Sequence, residues 1–204
     1  MMKNRIIDYL EEVVPNPKCE LNYNKDYELL IATMLSAQTT DKRVNSITSI
    51  LFTKYPSLET LDKAKIDDLV ELVRPLGNYT RKALNIKKIA HSLLEVGGVV
   101  PNDRQYLESL SGVGRKTTNV VLSNIYGVQC IAVDTHVERV AKRLGLALPN
   151  DDVRTVEDKL TKYFKNDNLG RLHHQLLLFG RYHCKAIKPE CEHCKLKDIC
   201  KKTD

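Results

Sequence analysis

Apolar side chains recur at helical spacing along this chain, and nowhere do they alternate as in a strand; no other feature limits its possible folds as tightly. Tyr27, Leu30, Ile31, Met34 and Leu35 share one helical face, and Ala83, Ile86, Ala90, Leu93 and Leu94 share another, both at a period of about 3.6 residues. Helix breakers fall between such segments, at Pro56, Pro75-Leu76-Gly77, Gly97-Gly98, Pro101 and Pro149. The pattern predicts an all-α protein. No internal repeat, low-complexity tract or Gly/Ser linker marks a flexible boundary. At 204 residues and 42% hydrophobic content, the chain is long enough for one large domain or two small ones.

The first twelve residues mix acids and bases at amphipathic spacing and lack the apolar region of a signal peptide. No apolar run is long enough to cross a bilayer, so the sequence predicts a cytoplasmic protein without a membrane partner. A reducing cytosol argues against structural disulfides among the six cysteines. A net charge of +6 is compatible with a polyanionic partner without establishing one.

Three stretches carry chemistry. The first is Leu110-Ser111-Gly112-Val113-Gly114-Arg115-Lys116-Thr117, which reads as a tight hairpin between two helices, the second running from Thr117 to Tyr126. Two glycines one residue apart permit positive φ and close approach to a ligand. The helix start behind them offers unpaired amides and the positive end of a dipole to a phosphate, a contact that holds a nucleic-acid backbone without reading bases. At that helix start, the dipole, neighbouring Arg115 and desolvation against DNA all favour the neutral amine of Lys116, and a neutral lysine can form a Schiff base. The plainer reading is a phosphate contact or a solvated helix residue.

The second stretch is Val133-Asp134-Thr135-His136-Val137-Glu138. Asp134 stands where a helix starts and reads first as a helix-start residue or N-cap, with Thr135 and Glu138 at capping-box spacing. A carboxylate at that position stays ionised, which also suits it to stabilise positive charge on a sugar.

The third stretch holds Cys184, Cys191, Cys194 and Cys200 at a C-x6-C-x2-C-x5-C spacing. Four thiols within so short a span of a cytosolic chain point to metal ligation. Sulfur ligation of this kind suits zinc or an iron–sulfur cluster, and spacing alone leaves both open. Cys19 and Cys130 lie outside the set and read as ordinary buried residues or free thiols.

The Leu-x-Gly-Val-Gly-Arg-Lys-Thr-x-Asn-Val-Val-Leu run followed by Val-Asp-Thr-His resembles the helix–hairpin–helix and catalytic segments of the endonuclease III family of DNA glycosylases and AP lyases. The likeness extends over nearly the whole chain. It implies a helical barrel over residues 20–128, with the helix–hairpin–helix at about 106–126. A second lobe, 1–19 plus 129–204, would carry the C-terminal loop of a [4Fe–4S] cluster ligated by the four cysteines. Ser111 departs from the proline common before Gly-Val-Gly, which should soften the hairpin without removing its amides.

By the same resemblance, Lys116 is the nucleophile and Asp134 assists it from the other lobe. Gln38, in a Gln-Thr-Thr-Asp turn that otherwise reads as a helix break capped by Asp41, enters the DNA where a nucleotide has flipped out. Asn78 stands where leucine is frequent as a wedge into the base stack, and neighbouring Tyr79 could supply stacking surface or pack on the following helix. Gly112, Val113, Gly114, Arg115, His136, Lys185 and Lys188 complete the implied DNA contacts. The expected protein is a monomeric bifunctional glycosylase and lyase that removes oxidised pyrimidines from double-stranded DNA and also acts at abasic sites. Alternatives are a mismatch-specific glycosylase of the same superfamily, which typically lacks the hairpin lysine, and a noncatalytic helix–hairpin–helix DNA-binding protein with a structural metal.

Overall fold

The computed structural model describes residues 2–202. Among them are eleven α-helices in the order α1 (Met2–Val13), α2 (Asp26–Leu35), α3 (Asp41–Lys54), α4 (Leu58–Lys63), α5 (Ile66–Val73), α6 (Tyr79–Glu95), α7 (Arg104–Ser109), α8 (Arg115–Tyr126), α9 (Thr135–Arg143), α10 (Val153–Tyr163) and α11 (Leu169–Tyr182). Two 3-10 turns, Cys191–His193 and Lys197–Ile199, follow, and no strand occurs among the described residues. The fold is all-α. Every breaker identified in the sequence lies between helices, and Gly97 and Gly98 take the positive φ values, 91° and 78°, that glycine reaches without steric cost.

The chain divides into two compact units, one made of residues 19–126 and the other of 1–18 with 127–204. In the first, α2 is the central element and packs on α8, α3 and α6. Its nine residues from Tyr27 to Leu35 are all buried, so it is covered all round rather than on the single face its period suggested. Glu28 survives inside this helix because its carboxylate accepts the backbone N–H groups of Asn24 at 2.7 Å and Lys25 at 3.3 Å, answering amides that a helix start leaves open. The α6 face is as read, with Ala83, Ile86, Ala90 and Leu93 fully buried, except that Leu94 is only half-buried. It packs against α4 and α5.

The second unit is built on α11, which packs against α9 and α1, while α10 packs on α9. Its core includes Ile6, Leu10, Val137, Val140, Leu160, Phe164, Leu176 and Phe179. Burying one such side chain contributes about 1.5–3 kcal/mol. Gly180 sets how closely α9 and α11 approach, since a Cβ there would lie 3.0 Å from both the His136 carbonyl oxygen and Val140 Cγ2. Ion pairs fasten α1 to the C-terminal loop. Arg5 donates to both carboxylate oxygens of Asp198 at 2.8 Å, and Lys195 pairs with Glu12 at 2.6 Å.

Helix ends follow their sequence signals with two corrections. Thr40, not Asp41, caps α3 by accepting from Arg43 N at 3.4 Å, because the helix begins at Asp41 itself. The Thr135 and Glu138 capping box does not form, since Asp134 takes the cap and Glu138 pairs with Lys142 at 2.6 Å one turn on.

Candidate nucleic-acid interface and metal centre

In the unit of residues 19–126, the hairpin joins α7 to α8. Gly112 has φ 77°, and a Cβ on it would come within 2.1 Å of Asn85 Nδ2, so this glycine answers both a backbone and a space requirement. Gly114 is not left-handed and has open space around its Cα. Val113 is buried and anchors the turn, and its N–H donates to Leu110 O at 3.1 Å. Ser111 Oγ donates to Asn85 Oδ1 at 2.7 Å, so the hydroxyl ties the hairpin to α6 in place of the rigidity a proline would give. The expected softening is thereby countered.

The first bond into α8 runs from Thr118 N to Gly114 O at 2.9 Å. The residues before that bond form the first turn of α8 behind the glycines, the end of a helix whose amides and dipole favour an anion. Lys116 is the second residue of α8 and is half-buried. The Cys19 thiol lies within its electrostatic reach; burial pushes that thiol's pKa up, Asp41 adds to the rise, and Lys116 opposes it.

Gln38 and Asn78 belong to the same unit. Both are exposed and both hold left-handed backbone at φ 56°; the third such non-glycine residue among the described ones is Lys188, at φ 51°. Each costs about 1–2 kcal/mol against an ordinary conformation. All three coincide with positions picked out from sequence for DNA contact. Asn78 precedes α6 as its N-cap residue yet makes no side-chain cap bond, which leaves its amide exposed. Tyr79 begins the helix and is 38% exposed, so the plainer reading of a packed ring is only partly met.

Sequence reading missed Lys82. It is 5% exposed, and its ammonium donates to Ala37 O at 2.9 Å and Thr39 Oγ1 at 3.1 Å, holding the Gln38 turn from both sides. Burial lowers its pKa. A basic residue at helical spacing with the apolar Ile86 and Ala90 was the available signal.

In the other unit, Asp134 Oδ1 accepts the backbone N–H groups of His136 and Val137, both at 2.9 Å, so the carboxylate is the N-cap of α9. His136 is half-buried, and Arg139 Nη2 approaches its Nδ1 at 3.2 Å. Arginine only donates, so this contact makes Nδ1 the acceptor and places the ring proton of the neutral imidazole on Nε2. Arg139 also donates to Gly180 O at 2.6 Å and Cys184 O at 3.1 Å, joining α9, the end of α11 and the cysteine loop. Burial and neighbouring Arg143 lower its pKa.

Cys184, Cys191, Cys194 and Cys200 line one cavity of about 260 Å³ together with Tyr9, Arg143 and His183. No disulfide joins any of the described cysteines. Burial pushes the Cys194 thiol up, Cys184 and Cys200 raise it further, and the Tyr9 hydroxyl hydrogen bond opposes them. Arg143 Nη1 donates to Cys184 Sγ at 3.3 Å and to Lys185 O at 2.7 Å. Thiolates crowded in this way repel one another unless a cationic group sits among them. A cavity of this volume with sulfur at four points of its wall has the donor set that a cluster takes. In the same loop Lys185 is paired with Glu190 at 2.9 Å, while Lys188 is exposed beside Ile187, which is 81% exposed.

The fold is thus marked by a helix–hairpin–helix in one unit and by a cavity lined by four cysteines in the other. Residues 31–166 match the family model of the HhH-GPD superfamily of base excision DNA repair proteins. Endonuclease III of Bacillus subtilis (strain 168) is 44% identical over 196 residues, 96% of this chain and 90% of that protein. Endonuclease III of Escherichia coli (strain K12) is 43% identical, over 96% of this chain and 92% of its own. A solved structure of a trapped endonuclease III–DNA covalent intermediate, an estranged-adenine complex, matches with a TM-score of 0.93 at 43% identity, covering 98% of this chain and 96% of that one. The chain belongs to the endonuclease III family, base excision repair enzymes with DNA glycosylase and AP lyase activity on duplex DNA.

Proposed function

We propose that Lys116 is the nucleophile and Asp134 the electrostatic partner of a glycosylase and lyase acting on oxidised pyrimidines such as thymine glycol. The observation that carries this is the seat of Lys116: second in α8, half-buried, behind a left-handed Gly112 and among the amides of a helix start. Those amides, with Arg115, hold the phosphates beside the lesion, and the flipped nucleotide presents C1′ to the amine.

The lone pair of neutral Lys116 attacks C1′ and the N-glycosidic bond breaks, the base leaving with the bonding pair and taking up a proton. Ionised Asp134, fixed by its two cap bonds, offsets the positive charge that develops on the sugar. Ring opening gives a protonated imine that acidifies the C2′ proton. Loss of that proton sends the electron pair toward C3′, and the C3′–O bond breaks with release of the phosphate end, nicking the strand 3′ to the lesion. Water then hydrolyses the imine and frees Lys116.

Cys184, Cys191, Cys194 and Cys200 would hold a [4Fe–4S] cluster, whose contribution is to cross-link and order the loop that carries Lys185 and Lys188. The 127–204 segment with the N-terminal helix is accordingly the cluster domain, and residues 19–126 the helix–hairpin–helix domain. Gln38 fills the place the flipped nucleotide leaves, Asn78 and Tyr79 meet the opposite strand, and His136 offers Nε2–H to a phosphate. The protein acts as a cytoplasmic monomer; no described helix is long and apolar enough to cross a membrane.

Borohydride trapping on a duplex with one abasic site tests the chemistry. The parent protein forms a covalent complex and Lys116→Ala does not; a Lys116→Ala protein that traps as well as the parent removes the assignment. Iron and sulfide content with visible absorption tests the cofactor, and zinc alone would overturn it.

A further inference from the structure

One polar stripe of α6 touches each of the segments assigned to DNA in residues 19–126. Lys82 and Asn85 are three residues apart and stand on one face of α6, and Asn78 is its N-cap, whose carbonyl oxygen accepts from Lys82 N at 3.0 Å. Asn78 is itself a left-handed residue presented at the helix start. Lys82 reaches the Gln38 turn through Ala37 O and Thr39 Oγ1, the residues on either side of Gln38. Asn85 receives the Ser111 hydroxyl and sits where a Cβ on Gly112 would have to go.

A lysine this deeply buried is rare unless its ammonium has partners that the fold supplies. Here both partners lie in a five-residue turn between α2 and α3 whose own hydrogen bonds are short-range: Thr39 N to Ser36 O at 3.0 Å and Ser36 Oγ to Thr33 O at 2.8 Å. Local bonds of that kind shape a turn but do not fix it against another helix. The Lys82 amine supplies the link to α6.

We propose that Lys82 is a positioning residue that locks the Gln38 turn to the helix presenting Asn78, so that two strained residues enter the duplex as one rigid pair and estrange the base opposite the lesion. The proposal rests on the reading of Gln38 and Asn78 as strand-facing residues. It makes duplex opening, rather than bond chemistry at Lys116, the step that depends on Lys82. A preformed pair avoids ordering the turn at the moment of binding.

The test compares borohydride trapping of one abasic site in a duplex and in the same oligonucleotide as a single strand, where no partner strand has to be opened. Lys82→Met lowers the duplex-to-single-strand ratio of trapping rates on the order of tenfold or more, the scale at which a misplaced group far from the chemistry is felt. Thr39→Val, which leaves the amine bonded to Ala37 O, lowers the ratio by a smaller factor and decides the matter alone if Lys82→Met does not fold. 2-Aminopurine opposite the abasic site gives a readout that general loosening does not move: the parent raises its fluorescence as the base leaves the stack, and Lys82→Met does not. An unchanged ratio, or an equal fall on both substrates, overturns the proposal. A parent protein that traps neither substrate overturns the lyase reading itself.

Discussion

Ser111 donates its hydroxyl to Asn85 Oδ1 at 2.7 Å, tying the glycine hairpin to the middle of α6. Asn85 is buried, so removing the donor leaves an acceptor without its bond in a dry place. Ser111→Ala is expected to lower unfolding stability by about 1 kcal/mol in urea titration. Gly112→Ala is worse, because its Cβ meets Asn85 Nδ2 at 2.1 Å and the left-handed φ is strained as well; a loss of about 1–3 kcal/mol is expected, with weaker DNA binding.

Asp134 has two functions that one pair of substitutions separates. Asparagine caps helices about as well as aspartate, so Asp134→Asn should change stability by less than about 0.5 kcal/mol while slowing base release by roughly a hundredfold or more. Asp134→Ala loses both the cap and the charge. Equal activity of Asp134→Asn and parent would show the carboxylate to be a cap only.

Gly180 permits the approach of α11 to α9. Gly180→Ala places a methyl 3.0 Å from the His136 carbonyl oxygen, which is backbone and does not swing aside. We expect about 1–3 kcal/mol of destabilisation, and altered His136 imidazole signals in NMR spectra because Arg139 holds both Gly180 O and His136 Nδ1.

Acid should loosen the attachment of α1. The side-chain hydrogen bond from Arg171 holds the Glu11 carboxyl below its usual range, and Arg5 does the same for Asp198. Folded-state values below the unfolded ones mean that this stability is complete above the unfolded carboxylate values, about 4, and is lost as pH falls through the lower folded values. The contribution of these two pairs is therefore constant from neutrality down to about pH 5 and falls below pH 4, and a protein carrying Arg5→Ala and Arg171→Ala loses less over that window. Both carboxylates are exposed, so added salt reduces the effect.

The helical class, the hairpin, the cap at Asp134 and the cysteine set were legible because each rests on local spacing. A glycine pair, an acid before an apolar period and four thiols within seventeen residues keep their meaning whatever surrounds them. What was not legible depends on partners distant in sequence. Lys82 looks like any solvated lysine until Ala37 and Thr39 are brought beside it, and Ser111 looks like a loss of rigidity until Asn85 faces it. The pairing of Lys185 with Glu190 was not legible for the same reason. The α2 face was misjudged because a period shows which residues are apolar, not that neighbours close over every side.

The unit that holds the four thiols is assembled from both ends of the chain, residues 1–18 and 127–204, with the other unit inserted between them. In order of synthesis, all of residues 19–126 are made before α11 and the loop that Arg5 and Lys195 fasten to α1, so amphipathic α1 lacks those contacts until they emerge. The four thiols can meet only after Cys200 has been made, so a nascent chain stalled before it would carry the hairpin segment without the full sulfur set.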